Sequence, residues 1–235
     1  MRKFLIPFAF LILALPAFAQ SAAELYNKGD YHAAAVQYEK QTKYGKNPYL
    51  YYNLANSYFK AGDTDKAIVN YYRAFNLLPR DGDIRDNLAF ALHSAGQRLV
   101  PEGMPQIAFN IYYYLSIREL GGAFWAALWL FAICFCFYVF TDKKRAGKRA
   151  CVISGILLVI IALWYLVRLP EAGARKAVAI VPRAEVRSGP GESFPVSLSL
   201  PRAYVIIIND TKGDWAEIRA GGGTGWVLKK SIEEI

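Results

Sequence analysis

Few residues in this chain are of types that do chemistry. Histidine occurs twice, as His32 and His93, and neither stands at a spacing from Cys, Asp or Glu that would build a metal site. The three cysteines, Cys134, Cys136 and Cys151, all fall in strongly apolar stretches. Cys134 and Cys136, two residues apart, point about 200° apart on a helix and cannot share one metal. They suit lipid-facing or packing roles. With no cysteine elsewhere, the polar parts of the chain have neither a disulfide framework nor a thiol nucleophile. There is no G-x-S-x-G, H-E-x-x-H or Walker sequence. The run Gly221-Gly222-Gly223-Thr224-Gly225 lacks the Lys-Ser/Thr and the strand-to-helix context of a phosphate loop. The expectation is a non-enzyme with no catalytic residue, no metal and no cofactor.

What remains is binding, and the elements that would position it are set by where apolar residues and charge collect. The 235-residue chain carries a net charge of +9. By segment this is +2 over residues 1–19, +2 over 20–100, +4 over 101–170 and +1 over 171–235. Neither polar region is strongly basic, which argues against nucleic acid, whose binders concentrate Lys and Arg to neutralise phosphates. Residues 1–19 have the parts of a secretory signal: basic Arg2-Lys3, a short apolar run, and Ala17-Phe18-Ala19 at a cleavage point. An uncleaved anchor is the alternative, and either one exports the region that begins at Gln20. No cysteine stands after the signal, so a lipid-anchored lipoprotein is not supported.

Residues 121–140 and 150–169 are expected transmembrane helices, long enough as helices to cross about 30 Å of hydrocarbon. Ser116 and Glu119 form a capping pattern that starts the first near Ile117. Trp164 and Tyr165 suit the interface at the end of the second. A buried soluble hairpin is the competing possibility. Residues 141–149, TDKKRAGKR, form a basic loop that marks the cytoplasmic side. Attraction to the anionic inner leaflet explains its charge more simply than a nucleic-acid site. The loop is therefore expected inside the cell and both soluble modules on the outer side of the membrane. Residues 101–120 are read as a linker and interfacial segment, and 170–176 as a second linker.

Residues 20–100 repeat. Leu25, Tyr58 and Leu92 align at spacings of 33 and 34, as do Gly29, Gly62 and Gly96. Such a period belongs to stacked helical hairpins. Between Pro48 and Arg80, Leu54, Ala55 and Tyr58 share one helix face, Gly62-Asp63 turns, and Ala67, Tyr71 and Ala74 face back. With Tyr51 and Pro79, these positions resemble the tetratricopeptide repeat, Tyr51 standing for the usual Trp. The earlier copy keeps Leu25, Gly29, Ala34 and Tyr38. The later one keeps a first helix, 83–95, which would cap the array. The resemblance implies a partner-binding groove lined by first helices, and by position Tyr26, Tyr52, Asn56, Phe59 and Phe90 would line it. Asn56 could hydrogen-bond an extended backbone while the aromatics grip side chains. The same tyrosines could instead simply pack a short solenoid.

Residues 177–235 change period. Short β-rich runs at 177–181, 204–208, 215–218 and 225–228 alternate with Gly, Pro, Asn and Asp turn chemistry, suggesting a small barrel. Val186-Arg187-Ser188-Gly189-Pro190, Trp215 and Gly225-Trp226-Val227 resemble the bacterial SH3 domain. Pro201-Arg202-Ala203 departs from its pattern, which has a Gly-containing turn there, and leaves the local loop shape open. Such domains bind cell-wall peptides or proteins, or act as spacers. Trp215 and Trp226 could form an exposed aromatic surface, or Trp226 could pack the barrel.

The expected fold class is thus multidomain: all-α tetratricopeptide hairpins, a two-helix transmembrane hairpin and a small all-β SH3-like barrel. In module order the chain resembles the BatE-type aerotolerance proteins. Members are encoded with membrane proteins carrying von Willebrand A domains and with a MoxR-type ATPase. The resemblance implies a non-catalytic adaptor of the bacterial inner membrane, both soluble modules on the periplasmic side, that assembles an envelope complex with von Willebrand A-type partners under oxidative or other stress. The alternative is an envelope sensor whose SH3 domain binds peptidoglycan.

Overall fold

A computed structural model describes residues 20–220 and 222–235. The expected signal, residues 1–19, lies outside the described residues. The repeat region forms five helices: α1 (Ala22–Asn27), α2 (Tyr31–Thr42), α3 (Pro48–Lys60), α4 (Thr64–Leu77) and α5 (Gly82–Ser94). Each begins on a side-chain cap, from Ser21, Asp30, Asn47, Asp63 and Asp81 in turn. These oxygens satisfy amide groups that an α-helix leaves unpaired at its start. The aligned glycines share one backbone state, with φ of 84°, 88° and 75° at Gly29, Gly62 and Gly96. That left-handed conformation suits glycine, because it costs other residues a Cβ clash. Ala34, Ala55, Ala67 and Ala74 are fully buried and bring the helices close, while Ile84, Leu88 and Leu92 of α5 close the stack. Phenols fill the flanks. Tyr58 donates to the Glu39 carboxylate.

The short helix α6 (Gln106–Tyr112) leads to α7 (Ile117–Phe140) and α8 (Lys144–Gly173). Ser116 and Glu119 form the expected capping box at the start of α7. Both long helices are long and apolar enough to cross a membrane, with mean hydropathy of 2.2 and 2.7 over their most apolar windows. Two differences from the sequence reading stand out. Residues 144–149 are helical rather than loop, because a hydropathy scan stops at charges whereas a helix does not, and Lys, Arg and Ala are good helix formers. Residues 170–173 extend α8 through Pro170, and strand β1 begins at Arg175, so little of 170–176 is a linker. The hairpin closes tightly at its basic end, where a Cβ on Gly147 would lie 2.8 Å from the Tyr138 Cα.

The C-terminal region contains β1 (Arg175–Ala179), β2 (Arg183–Arg187), β3 (Val196–Pro201), β4 (Val205–Lys212), β5 (Trp215–Ala220), β6 (Gly223–Leu228) and β7 (Ile232–Glu234). Their antiparallel sheet runs β3-β2-β6-β5-β4-β1-β7. Alternate residues enter its core, among them Ala177, Val186, Leu200, Ile206, Ile218 and Val227. The sequence reading marks four of these strands. β2, β3 and β7 escape it because RAEVR and VSLSLP alternate apolar with charged or hydroxyl residues, and IEE is only three residues with one apolar side chain.

The β domain docks on the helical array. Val178, Ala203, Val205 and Ile235 join the core that contains Tyr72 and Phe75 of α4. Arg202 forks onto the Asp65 carboxylate, its Nη2 2.8 Å from Oδ2, and these bonds raise the guanidinium pKa further. Arg73 reaches Glu233 at 3.1 Å and the Glu234 carbonyl at 2.6 Å. The unusual Pro201-Arg202-Ala203 segment is therefore part of the interface. Ala203 adopts the left-handed φ of 62° in the segment where the family pattern has a Gly-containing turn, and its methyl is buried against the helices. That conformation costs roughly 1–2 kcal/mol for a residue with a Cβ, offset here by burial and the Arg202 fork.

Gly225 sits where β6 meets β2. An added Cβ would lie 2.9 Å from the Arg187 carbonyl and against Val186 Cγ1. Gly225→Ala should destabilise the β domain by about 1–3 kcal/mol, read as a lowered thermal midpoint. Gly45→Ala, which meets nothing within 4 Å, should leave it unchanged.

Candidate functional site

The expected groove residues converge. Tyr26 of α1, Tyr52, Asn56 and Phe59 of α3, and Phe90 of α5 line one groove of about 330 Å³, together with Lys60, Tyr71 and Asn87. Among the described residues, none of the β domain borders it, because docking uses the Asp65, Tyr72 and Arg73 face of α4. The groove floor is polar and ordered. Tyr71 donates its hydroxyl to Asn56 Oδ1 at 2.6 Å. Asn87 Nδ2 donates to the Tyr52 hydroxyl at 2.8 Å and to Asn56 Oδ1 at 3.2 Å. These bonds fix the Asn56 amide so that its oxygen faces the floor and its NH2 is free to donate to a bound carbonyl. At the rim, Phe59 and Phe90 meet edge to face with centroids 5.7 Å apart, and Phe90 is 63% exposed. The groove thus offers an amide donor, an apolar aromatic step and the Lys60 cation.

Sequence reasoning identified Tyr71 as a packing residue and did not place Asn87 or Lys60 here. Asn87 lies 31 residues after Asn56, short of the repeat period, so alignment could not pair them. Only the crossing of α3 and α5 does. Tyr52 and Asn56 serve both possibilities weighed from the sequence, since each belongs to the floor network and also faces the groove.

On the β domain, Trp215 pairs across the sheet with Leu228, and Trp226 with Glu217 and Arg187. Both tryptophans stand on the outer face at intermediate exposure. The inward positions beside them belong to Ala216, Ile218 and Val227, so Trp226 does not pack the barrel core.

Comparison with known protein families bears on these sites. The tetratricopeptide repeat family matches residues 48–81. The bacterial SH3 domain family matches residues 181–234. Among curated proteins, none matches the chain. The protein therefore combines two modules that typically bind rather than catalyse with two helices of membrane-spanning length. Domains of both families typically bind proteins, and those of the second also bind cell-wall peptides.

Burial raises the Tyr71 pKa, with the neighbouring Tyr52 and Tyr26 phenols adding to it. Burial likewise raises Tyr58, helped by its bond to Glu39. Folding stabilises the neutral phenols, so this contribution is complete below the unfolded value of about 10 and is lost as pH rises through the folded values. Thermal midpoints should therefore fall above about pH 10 in step with tyrosinate absorbance. Tyr58→Phe should flatten that fall; an unchanged profile would show that Tyr58 does not contribute.

Proposed function

We propose that the protein is a non-catalytic inner-membrane adaptor that holds its tetratricopeptide groove and its SH3 domain on the periplasmic side. There it gathers partners into an envelope complex, with von Willebrand A-type membrane proteins the partners that the module order suggests. The observation that carries the reading is the open groove with an ordered amide floor, kept clear of the docked β domain. An extended peptide placed there would give a carbonyl to Asn56 and an apolar side chain to the Phe59–Phe90 step. The basic residues of 143–149, at the turn and the start of α8, support the orientation, since Lys and Arg crowd on the cytoplasmic side. A role in stress tolerance would follow from the stability of that complex.

A second reading has its own observation. The outward Trp215 and Trp226 offer the β domain an aromatic surface for peptidoglycan, as a cell-wall-binding envelope sensor would need.

Phe90 is the cleanest probe, because it is exposed and belongs to none of the floor hydrogen bonds. In full-length protein reconstituted in nanodiscs, Phe90→Ala should weaken capture of a von Willebrand A-type partner about tenfold or more, as truncation of an aromatic anchor does, with an unchanged thermal midpoint. Retained capture by Phe90→Ala, with loss in a Trp215→Ala, Trp226→Ala variant that also stops binding sacculi, would favour the sensor.

A further inference from the structure

Helix α6 presents an apolar face that no other part of the described protein covers. Ile107 is 73% exposed and Ile111 63%, one turn apart, with Met104 at 38% and Tyr114 at 58% flanking them. The opposite side is used: Phe109 is buried and stacks on Phe75 of α4 at 6.3 Å, and Asn110 accepts from Arg85. From Gly103 to Ile117 the sequence carries no charged residue and includes Tyr112-Tyr113-Tyr114.

The depth of this helix is fixed by the long hairpin. Arg168 comes directly after the uncharged run of α8, and its Nη1 donates to the Tyr112 carbonyl at 2.7 Å and the Leu115 carbonyl at 3.0 Å. Lower down, a Cβ on Gly121 would lie 3.6 Å from the Tyr165 ring, so the two apolar runs end at one level. The C-terminal end of α6 is held just there, where hydrocarbon gives way to headgroups.

We propose that the exposed face of α6 is a lipid-binding surface that sits in the headgroup and acyl boundary of the leaflet nearest the helical array. This rests on the reading that α7 and α8 span the membrane. An uncharged helix with isoleucines outward and tyrosines beside it is of the kind that partitions there, burying its apolar face to about 5–10 Å. A second copy of the chain fits less well. Seven residues of helix offer far less than the roughly 1,000 Å² that a specific interface needs. Bound to lipid, α6 sets the height of the repeat array above the membrane, since Phe109 ties it to Phe75.

The test uses full-length protein with Cys134, Cys136 and Cys151 replaced by alanine, in vesicles of phosphatidylethanolamine and phosphatidylglycerol. Nitroxide labels go on Ile107→Cys, Ile111→Cys, Ile156→Cys and Tyr44→Cys, with circular dichroism as a check of fold. Labels at 107 and 111 should collide several-fold more with oxygen than with a water-soluble nickel chelate, as the span label at 156 does, while 44 shows the reverse. Chelate access at 107 and 111 with 156 in lipid would overturn the proposal and leave the membrane reading standing. Shielding of 107 and 111 from both reagents would overturn it in favour of a protein covering. Chelate access at 156 as well would remove the membrane reading on which the proposal rests.

Discussion

The parts of this protein meet at one guanidinium. Arg168 is 4% exposed at the end of a long apolar helix, where an unpaired charge would be strongly unfavourable. Its surroundings answer that cost in full. The carbonyls of Tyr112, at the end of α6, and Leu115, in the turn to α7, accept from Nη1, and the Glu171 carboxylate lies 3.4 Å from Nε. The rings of Tyr112 and Tyr113 sit 4.9 and 4.8 Å from the guanidinium carbon. Glu171 in turn accepts from both tyrosine hydroxyls and pairs with Lys176 at 3.8 Å. Buried charges persist when they are paired and hydrogen-bonded, and breaking one partner leaves the rest uncompensated. The cluster therefore fixes the entry of α7, the exit of α8 and the first strand of the β domain relative to one another.

From that fixed point the geometry of the soluble part unfolds in order. Arg80 on the helical array reaches Glu119 at the start of α7 at 2.7 Å, and Arg73 and Arg202 bridge the array to the β domain. Isolated pairs of such exposure contribute little each. Here they frame an apolar contact of Phe75, Val178, Ala203 and Ile235, which supplies most of the adhesion. Because the second helix of the best-formed repeat is spent on this contact, the first helices stay free to line the groove. Docking and binding use opposite sides of one hairpin.

Much of this is legible in the residues, and the limits have physical causes. Gly29, Gly62 and Gly96 announce the repeat because a left-handed turn is a local demand that glycine meets without a Cβ clash. The apolar stretches announce α7 and α8 because length and hydropathy are one-dimensional properties. Strands β2, β3 and β7 are less visible, since alternation with charge looks like loop until a neighbour pairs with it. Least visible is the interface between modules. Pro201-Arg202-Ala203 reads only as a departure from a family pattern, and its meaning lies in Asp65, 137 positions away. The groove is intermediate: repeat position brings together Tyr26, Tyr52, Asn56, Phe59 and Phe90, while Asn87 and Lys60 depend on how helices cross.

The helical array and the β domain dock on each other, and the proposed function places that interface on the membrane side opposite the basic end of the long hairpin. The most direct test places Asp65→Cys and Arg202→Cys together in full-length protein lacking Cys134, Cys136 and Cys151. Cells opened only at the outer membrane are then treated with a short, membrane-impermeant bifunctional thiol reagent. The prediction is a single intramolecular bridge formed from outside the inner membrane. Reaction only after that membrane is broken, or separate labelling of the two cysteines without a bridge, would contradict it.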